Sequence, residues 1–422
     1  MKYEPTSHKL SNGVTVILDP MDIETVAVKI RFSTGSRDEK TENHGITHFC
    51  EHMLFKGTKR FASRKDLKDF IDNKGGQFNA STSVRALQLY GRIIAENTND
   101  LLELFADMLQ NSVFDNQKIE IERGVILDER RQAVCSVKRK FWDLIDTSLF
   151  GWPHFQTIGS EENIKSFTRE QMLNWLNERL SAQNCIICIS GRIDDKEKLL
   201  EKLESLYSFL PNRKVSTNKE LKYTPCDKFL YDSGLKNVWL CIAFPYIRPD
   251  TYENTFKDIA ESKFRKYLSQ ELNEALRHQN GLVYGLGVSS YGNEINGVRG
   301  IETETSPENL ERAVALIAKT AYRVYYKDKI TQQVIDRITN SHKLADADFL
   351  ENASQRRDLL VANWADFGVL YEYNRIIEMD RATCVKDVIE ASTGFFDGDM
   401  SIISFGAKHN LDLRKIWIDN FK

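Results

Sequence analysis

The 422-residue chain has no apolar run approaching the ~20 residues that cross a bilayer, so no membrane-spanning helix is expected and no membrane partner. It has no excess of charge either. Lys and Arg number 58 against 61 Asp and Glu, a formal net charge of -3, so no global field invites nucleic acid or acidic lipid. A disulfide framework is also missing. Seven cysteines are an odd number in a chain too large to need staples, and reduced thiols in a cytoplasmic compartment are the expectation. There is no Walker-type glycine loop: Gly285 and Gly287 in YGLGVSSYG lie on an expected strand with no helix following to hold a phosphate. The opening MKYEPTSHKLSNGVTVILDP lacks an apolar core of signal-peptide length and runs directly into the alternation of Val14, Val16 and Leu18. It reads as a first strand rather than an address.

What is present is enough apolar residue, 41%, for two ordinary domains that each bury a core. The stretch PNRKVSTNKELKYTP, Pro211 to Pro225, is polar and bracketed by prolines. It sets a linker at 213–224 between domains at 1–212 and 225–422. The halves read as diverged copies at an offset of about 210 residues, each running strand, helix, strand, polar cap, helix, helix. Asn97 to Leu101 in the first copy corresponds to Ser306 and Glu308 to Leu310 in the second, both as a cap and first helical turn. Alternating strands such as LQLYGRIIA follow one another through hairpin-like turns, while helices come in consecutive pairs. The fold class expected is α+β: two repeated α/β-roll domains, each a mostly antiparallel sheet with helices packed on one face.

Cys185 and Cys188 spell C-x-x-C, a spacing used for zinc and for redox chemistry. They fall in NCIICISG, a β-branched run of buried-strand character in which residues three apart point to opposite faces, and two core thiols are the better reading.

The stretch ENHGITHFCEHMLFKGTKRF, Glu42 to Phe61, holds His44, His48 and His52 at four-residue intervals. On a helix, His48 and His52 lie one turn apart on one face and can meet one ion, and Glu51 sits beside that face within reach of a water. This is the inverted order H-x-x-E-H of the zinc-peptidase helix. The bland reading is a pair of surface or satisfied core histidines. His44 precedes Gly45, where the helix is expected to begin, and reads as an exposed first-turn residue. Downstream, IEIERGVILDERRQ offers Glu122 and Glu129, two turns apart on a second helix. A carboxylate there would complete a His2Glu site with one position left for water, although spacing alone favours the bland reading, a charge-rich helix showing its solvated side.

Taken together, HGITHFCEHMLFKGTKRF, GGQFNASTS, IEIERGVILDE and the later LNEALRHQNGLVYGLG resemble the pitrilysin or insulinase family of zinc metallopeptidases (M16), in its short-chain branch related to the mitochondrial processing peptidase β-subunit. The resemblance covers nearly the whole chain. It implies that His48, His52 and Glu129 are the metal ligands of one Zn2+ per chain, that Glu51 is the general base, and that Glu122 supports the site. It implies that Phe78, Asn79 and Ala80 lie on an edge strand to which substrate pairs, and that Arg277 and Tyr284 grip the peptide backbone and the carbonyl under attack. Cys50, where the family carries an apolar residue, and Asp128, before the ligand glutamate, depart from the pattern without removing a catalytic group. Cys50 lies about 100° round the helix from Glu51 and should face the core. The activity expected is zinc-dependent endopeptidase action on unfolded or presequence-like peptides. The form expected is a homodimer, or a heterodimer with a same-fold partner, enclosing a chamber. A non-catalytic helper subunit of the same fold is the alternative.

Overall fold

Strands are where the sequence alternates. In the computed structural model, which describes residues 3–151, 157–217, 222–247, 251, 254–292 and 296–422, they form two sheets. The first contains β1 (Thr6–Lys9), β2 (Thr15–Pro20), β3 (Thr25–Phe32), β4 (Gln77–Thr82), β5 (Leu87–Ile94) and β6 (Cys185–Gly191), in the order β1-β2-β6-β3-β5-β4. The second contains β7 (Asp227–Tyr231), β8 (Val238–Ile247), β9 (Leu286–Gly292), β10 (Asn296–Thr305) and β11 (Ser401–Gly406), in the order β7-β11-β8-β10-β9. Among the described residues, only β2 with β6 and β7 with β11 run parallel; every other strand pairing is antiparallel. Setting β2, β6, β3, β5 and β4 against β7, β11, β8, β10 and β9 reproduces both order and direction, so the internal repeat is a repeat of topology.

Alternation decides which face is core. In β3, Val26, Val28, Ile30 and Phe32 are fully buried in the first hydrophobic core. In β8, Val238, Leu240, Ile242 and Phe244 do the same in the second. Most helices pack on these faces, as expected. One further helix lies on the opposite face of each sheet. Ala353–Phe367 meets Ala27 through Ala353 and reaches Asp19 of β2 through Arg356, both residues out of phase with the core set. Val137–Phe150 lays Phe141 against Trp239 and Trp142 against Tyr291, likewise out of phase. This double cover explains why β6 is buried at every position, Cys185 and Cys188 included.

The chain therefore divides into two compact units that are not continuous in sequence. One takes Met1–Val137, His154–Asn218 and Asp346–Glu372; the other takes Lys138–Pro153, Lys219–Ala345 and Tyr373–Lys422. Residues 218–221 of the expected linker lie outside the described residues. No helix among the described residues is long and apolar enough to cross a membrane.

Candidate metal centre

The helix Ile46–Leu54 begins at Gly45, as the sequence indicates, and Gly45 has a structural reason to be glycine. Its φ is +100° and a Cβ would stand 2.5 Å from the Ile158 carbonyl oxygen. Glu39 then caps the helix from a distance in sequence, accepting from the Gly45 and Thr47 backbone N–H at 2.8 and 2.9 Å. Burial pushes the Glu39 carboxyl up to about 7. Phe49, Cys50, Met53 and Leu54 are fully buried. At roughly 1.5–3 kcal/mol for each of Phe, Met and Leu, that face fastens the helix and leaves His48, Glu51 and His52 on the other. His44 is a correction: it lies before the helix, at the end of a short 3-10 turn, and is half-buried rather than an exposed first-turn residue.

Asn116–Cys135 is the second helix, capped by Asp115, whose side chain accepts from the Gln117 and Lys118 N–H. It brings Glu122 and Glu129 to the histidines. Glu122, almost fully buried, takes His52 Nδ1 at 2.7 Å and also pairs with Lys56. Burial works against its charge, yet the hydrogen bonds from His52 and Lys56 hold the carboxyl below its ordinary range. Glu129 Oε2 lies 3.7 Å from His48 Nε2 and 3.5 Å from His52 Nε2, and the two imidazole centroids are 4.5 Å apart. Among the described residues, His48, His52 and Glu129 are the group whose donor atoms converge, all within 4.8 Å of one another.

This donor set fits zinc. Separations of 3.5 and 3.7 Å are too long for hydrogen bonds. They match ligands that share a tetrahedral ion, which bonds of ~2.0–2.2 Å hold roughly 3.3–3.6 Å apart. In the neutral imidazole of His52, an ionised Glu122 can only accept, so the proton sits on Nδ1 and the Nε2 lone pair faces Glu129. A lone pair facing a carboxylate oxygen is repulsive until a cation lies between them. Three protein donors leave a fourth position for water or substrate.

Glu51 stands beside this set. Thr82 at the end of β4 donates its hydroxyl to Glu51 Oε2 at 2.6 Å. Burial raises the Glu51 carboxyl above its ordinary value; the Thr82 hydrogen bond and His52 oppose the shift, and Glu129 adds to it. A raised, buried carboxylate next to a metal-ligand set is suited to carrying a proton. β4 is an edge strand of its sheet, and it holds the three expected substrate-pairing residues. Phe78 stacks on Phe55 at 5.6 Å, Ala80 is buried and Asn79 points to solvent.

Arg277 and Tyr284 belong to the second unit. Arg277 occupies a π-helical turn, Glu274–Gln279, and its guanidinium lies 5.1 Å over the Tyr284 ring, which is 87% exposed. Asp128 pairs with Arg131 on the solvent side of its helix, and Cys50 faces the core. The sequence reading missed Lys56, Thr82 and Glu39. Thr82 had a signal, since it shares strand phase with Phe78 and Ala80. Lys56 had a fainter one, four residues past His52, and Glu39 had none.

Comparison with known proteins adds the following. Residues 15–150 match Insulinase (Peptidase family M16), and residues 166–341 match the Peptidase M16 inactive domain. A protein of Rickettsia bellii described as an uncharacterized zinc protease is 27% identical over 415 residues, 96% of this chain and 98% of that one. The probable mitochondrial-processing peptidase subunit beta of Arabidopsis thaliana is 32% identical over 243 residues, 56% of this chain and 45% of that one. Among solved structures, a protease from Helicobacter pylori shares the fold with a TM-score of 0.82 at 19% identity, over 96% of this chain and 99% of its own.

Proposed function

Because the chain belongs to the insulinase family of peptidases, M16, we propose that it is a zinc-dependent endopeptidase that cuts unfolded peptides, presequence-like segments among them. The observation that carries this reading is the approach of both imidazole Nε2 atoms to one Glu129 oxygen, with Glu51 beside them. A zinc ion held by His48, His52 and Glu129 would supply a Lewis acid and bring the pKa of its water toward ~7. Glu51 takes a proton from the attacking water and delivers it to the departing amine nitrogen. Thr82 holds the carboxylate that moves this proton, and Glu122 fixes the His52 ring.

Substrate binds extended, adding a strand to the free edge of β4 through Phe78, Asn79 and Ala80, which selects unfolded chains over folded ones. Tyr284 stabilises the developing oxyanion and Arg277 fixes the peptide. The exposure of the Tyr284 ring supports a pairing of chains in which it meets the metal site of a second copy, or of a same-fold partner. The seven thiols fit a reducing, cytoplasmic compartment.

A helper subunit without activity is the second reading, favoured by the match of residues 166–341 to the inactive domain. That match does not touch the donor set, which lies within 15–150. Stripping the protein with a chelator and adding zinc back separates the two. Cleavage of an unstructured peptide that disappears and returns with the metal supports the enzyme; a fully metallated protein that cuts no peptide supports the helper.

A further inference from the structure

A strand added to β4 would place alternate side chains on the sheet face turned away from the metal helix, and that face carries a cleft of about 430 Å³. Its floor is the paired ends of β4 and β5, where Gln77 faces Arg92 and Asn79 faces Tyr90. Its far wall is the first turn of Ala353–Phe367, through Ser354 and Arg357. These side chains are out of phase with Phe78, Leu89 and Ile93, which enter the core, so none of them serves the metal site.

The cleft is built as a polar, cationic pocket. Arg357 is anchored by the carbonyls of Val28 and Gly91, both at 3.2 Å, and its guanidinium sits 5.7 Å over the Tyr90 ring. Its charge, and that of Lys29 nearby, is shared with Asp358. Arg92 is different. It is exposed, and its Nε and Nη2 are steered by the Thr25 hydroxyl at 3.2 and 2.9 Å, a neutral partner that leaves the positive charge standing. Among the described residues no carboxylate lines the cleft, while Gln77, Asn79, Tyr90 and Ser354 supply polar hydrogens.

We infer that this cleft is a specificity subsite that takes an acidic side chain from the substrate residue paired along Gln77–Asn79. The inference rests on the peptidase reading and on strand addition at β4. A side chain on this face of an added strand would stand roughly 4.5–5.5 Å from the one opposite it, close enough for a carboxylate to reach the amides of Gln77 or Asn79 and the Arg92 guanidinium.

The test is cleavage of unstructured peptide pools that differ at one position at a time, Glu, Gln, Ala or Lys, by wild type, Arg92→Glu and Gln77→Glu. Both variants alter exposed side chains, so folding is preserved by at least one of them. Wild type should favour Glu over Lys at one position by about tenfold in kcat/KM, the range of a charge-assisted hydrogen bond. Arg92→Glu should reverse that ratio, Gln77→Glu should lower it, and Arg92→Lys should retain its sign. A wild type that cuts the pools without an acidic preference, or an Arg92→Glu protein that keeps the preference, overturns the subsite alone. A wild type that cuts no pool overturns the peptidase reading and the subsite with it.

Discussion

At the scale of single residues, the proposed site turns on one carboxylate outside the candidate donor set. Glu122 receives the Nδ1–H of His52 and the ammonium of Lys56 in a nearly dry position, so it sets both the tautomer and the orientation of a ligand ring. Glu122→Gln keeps the shape and removes the charge. Zinc affinity measured by chelator competition should fall about 10–100-fold, with cleavage recovering in excess zinc. An unchanged affinity would show that His52 is held by packing alone. Spacings of three and four put His48, Glu51 and His52 on one helical face, whereas Glu122 and Glu129 were singled out by the family resemblance, since their spacing of seven alone favoured a solvated helix face. Lys56 and Thr82 were not, since one follows the end of the helix and the other comes from a strand. Their approach to Glu122 and Glu51 is made by tertiary folding, about which helical spacing is silent. His44 shows the converse. Its interval fitted as well as the others, but a left-handed glycine intervenes and turns the chain before the helix starts.

At the scale of elements, the repeat was readable and the placement of two helices was not. Ser306 and Asn97 cap corresponding helices, as their sequence positions indicated, and the five shared strands follow one topology. Yet Val137–Phe150 and Ala353–Phe367 follow equivalent helices of their own halves and then settle on the sheet built from the other half of the sequence, so that each joins that sheet's unit. Periodicity gives the apolar face of a helix but not the sheet it covers. The fastening of Ala353–Phe367 is chemical. Arg356 and Asp19 are both fully buried and joined in a two-pronged ion pair, with the Tyr3 ring 4.9 Å from the guanidinium. Burial raises the Asp19 carboxyl and Arg356 opposes the rise. Arg356→Ala leaves that carboxyl without its cation. Urea unfolding should show a loss of about 3–5 kcal/mol, whereas cutting an exposed, solvent-screened pair such as Lys65 with Asp69 should leave the transition almost unmoved. A loss below ~1 kcal/mol for Arg356→Ala would mean that the helix is held by its apolar contacts instead.

At the scale of the whole molecule, the groups proposed for catalysis are divided between units. The candidate metal donors and Glu51 sit in one, Arg277 and Tyr284 in the other. If one chain lends its Arg277 and Tyr284 to the metal site of another, two dead chains can repair each other. A mixture of Glu51→Gln and Tyr284→Phe proteins should regain about a quarter of wild-type activity, since half of randomly formed dimers are mixed and each holds one intact site. Mixed dimers that form and stay inactive would place each complete site within a single chain. The central claim is narrower than the assembly: His48, His52 and Glu129 hold the metal, and Glu51 moves the proton. The measurement that tests it most directly is zinc content together with peptide cleavage in Glu51→Gln. The account predicts one zinc per chain, as in wild type, with cleavage reduced by about 10²–10⁴-fold. A variant that keeps its zinc and cuts at the wild-type rate would contradict it.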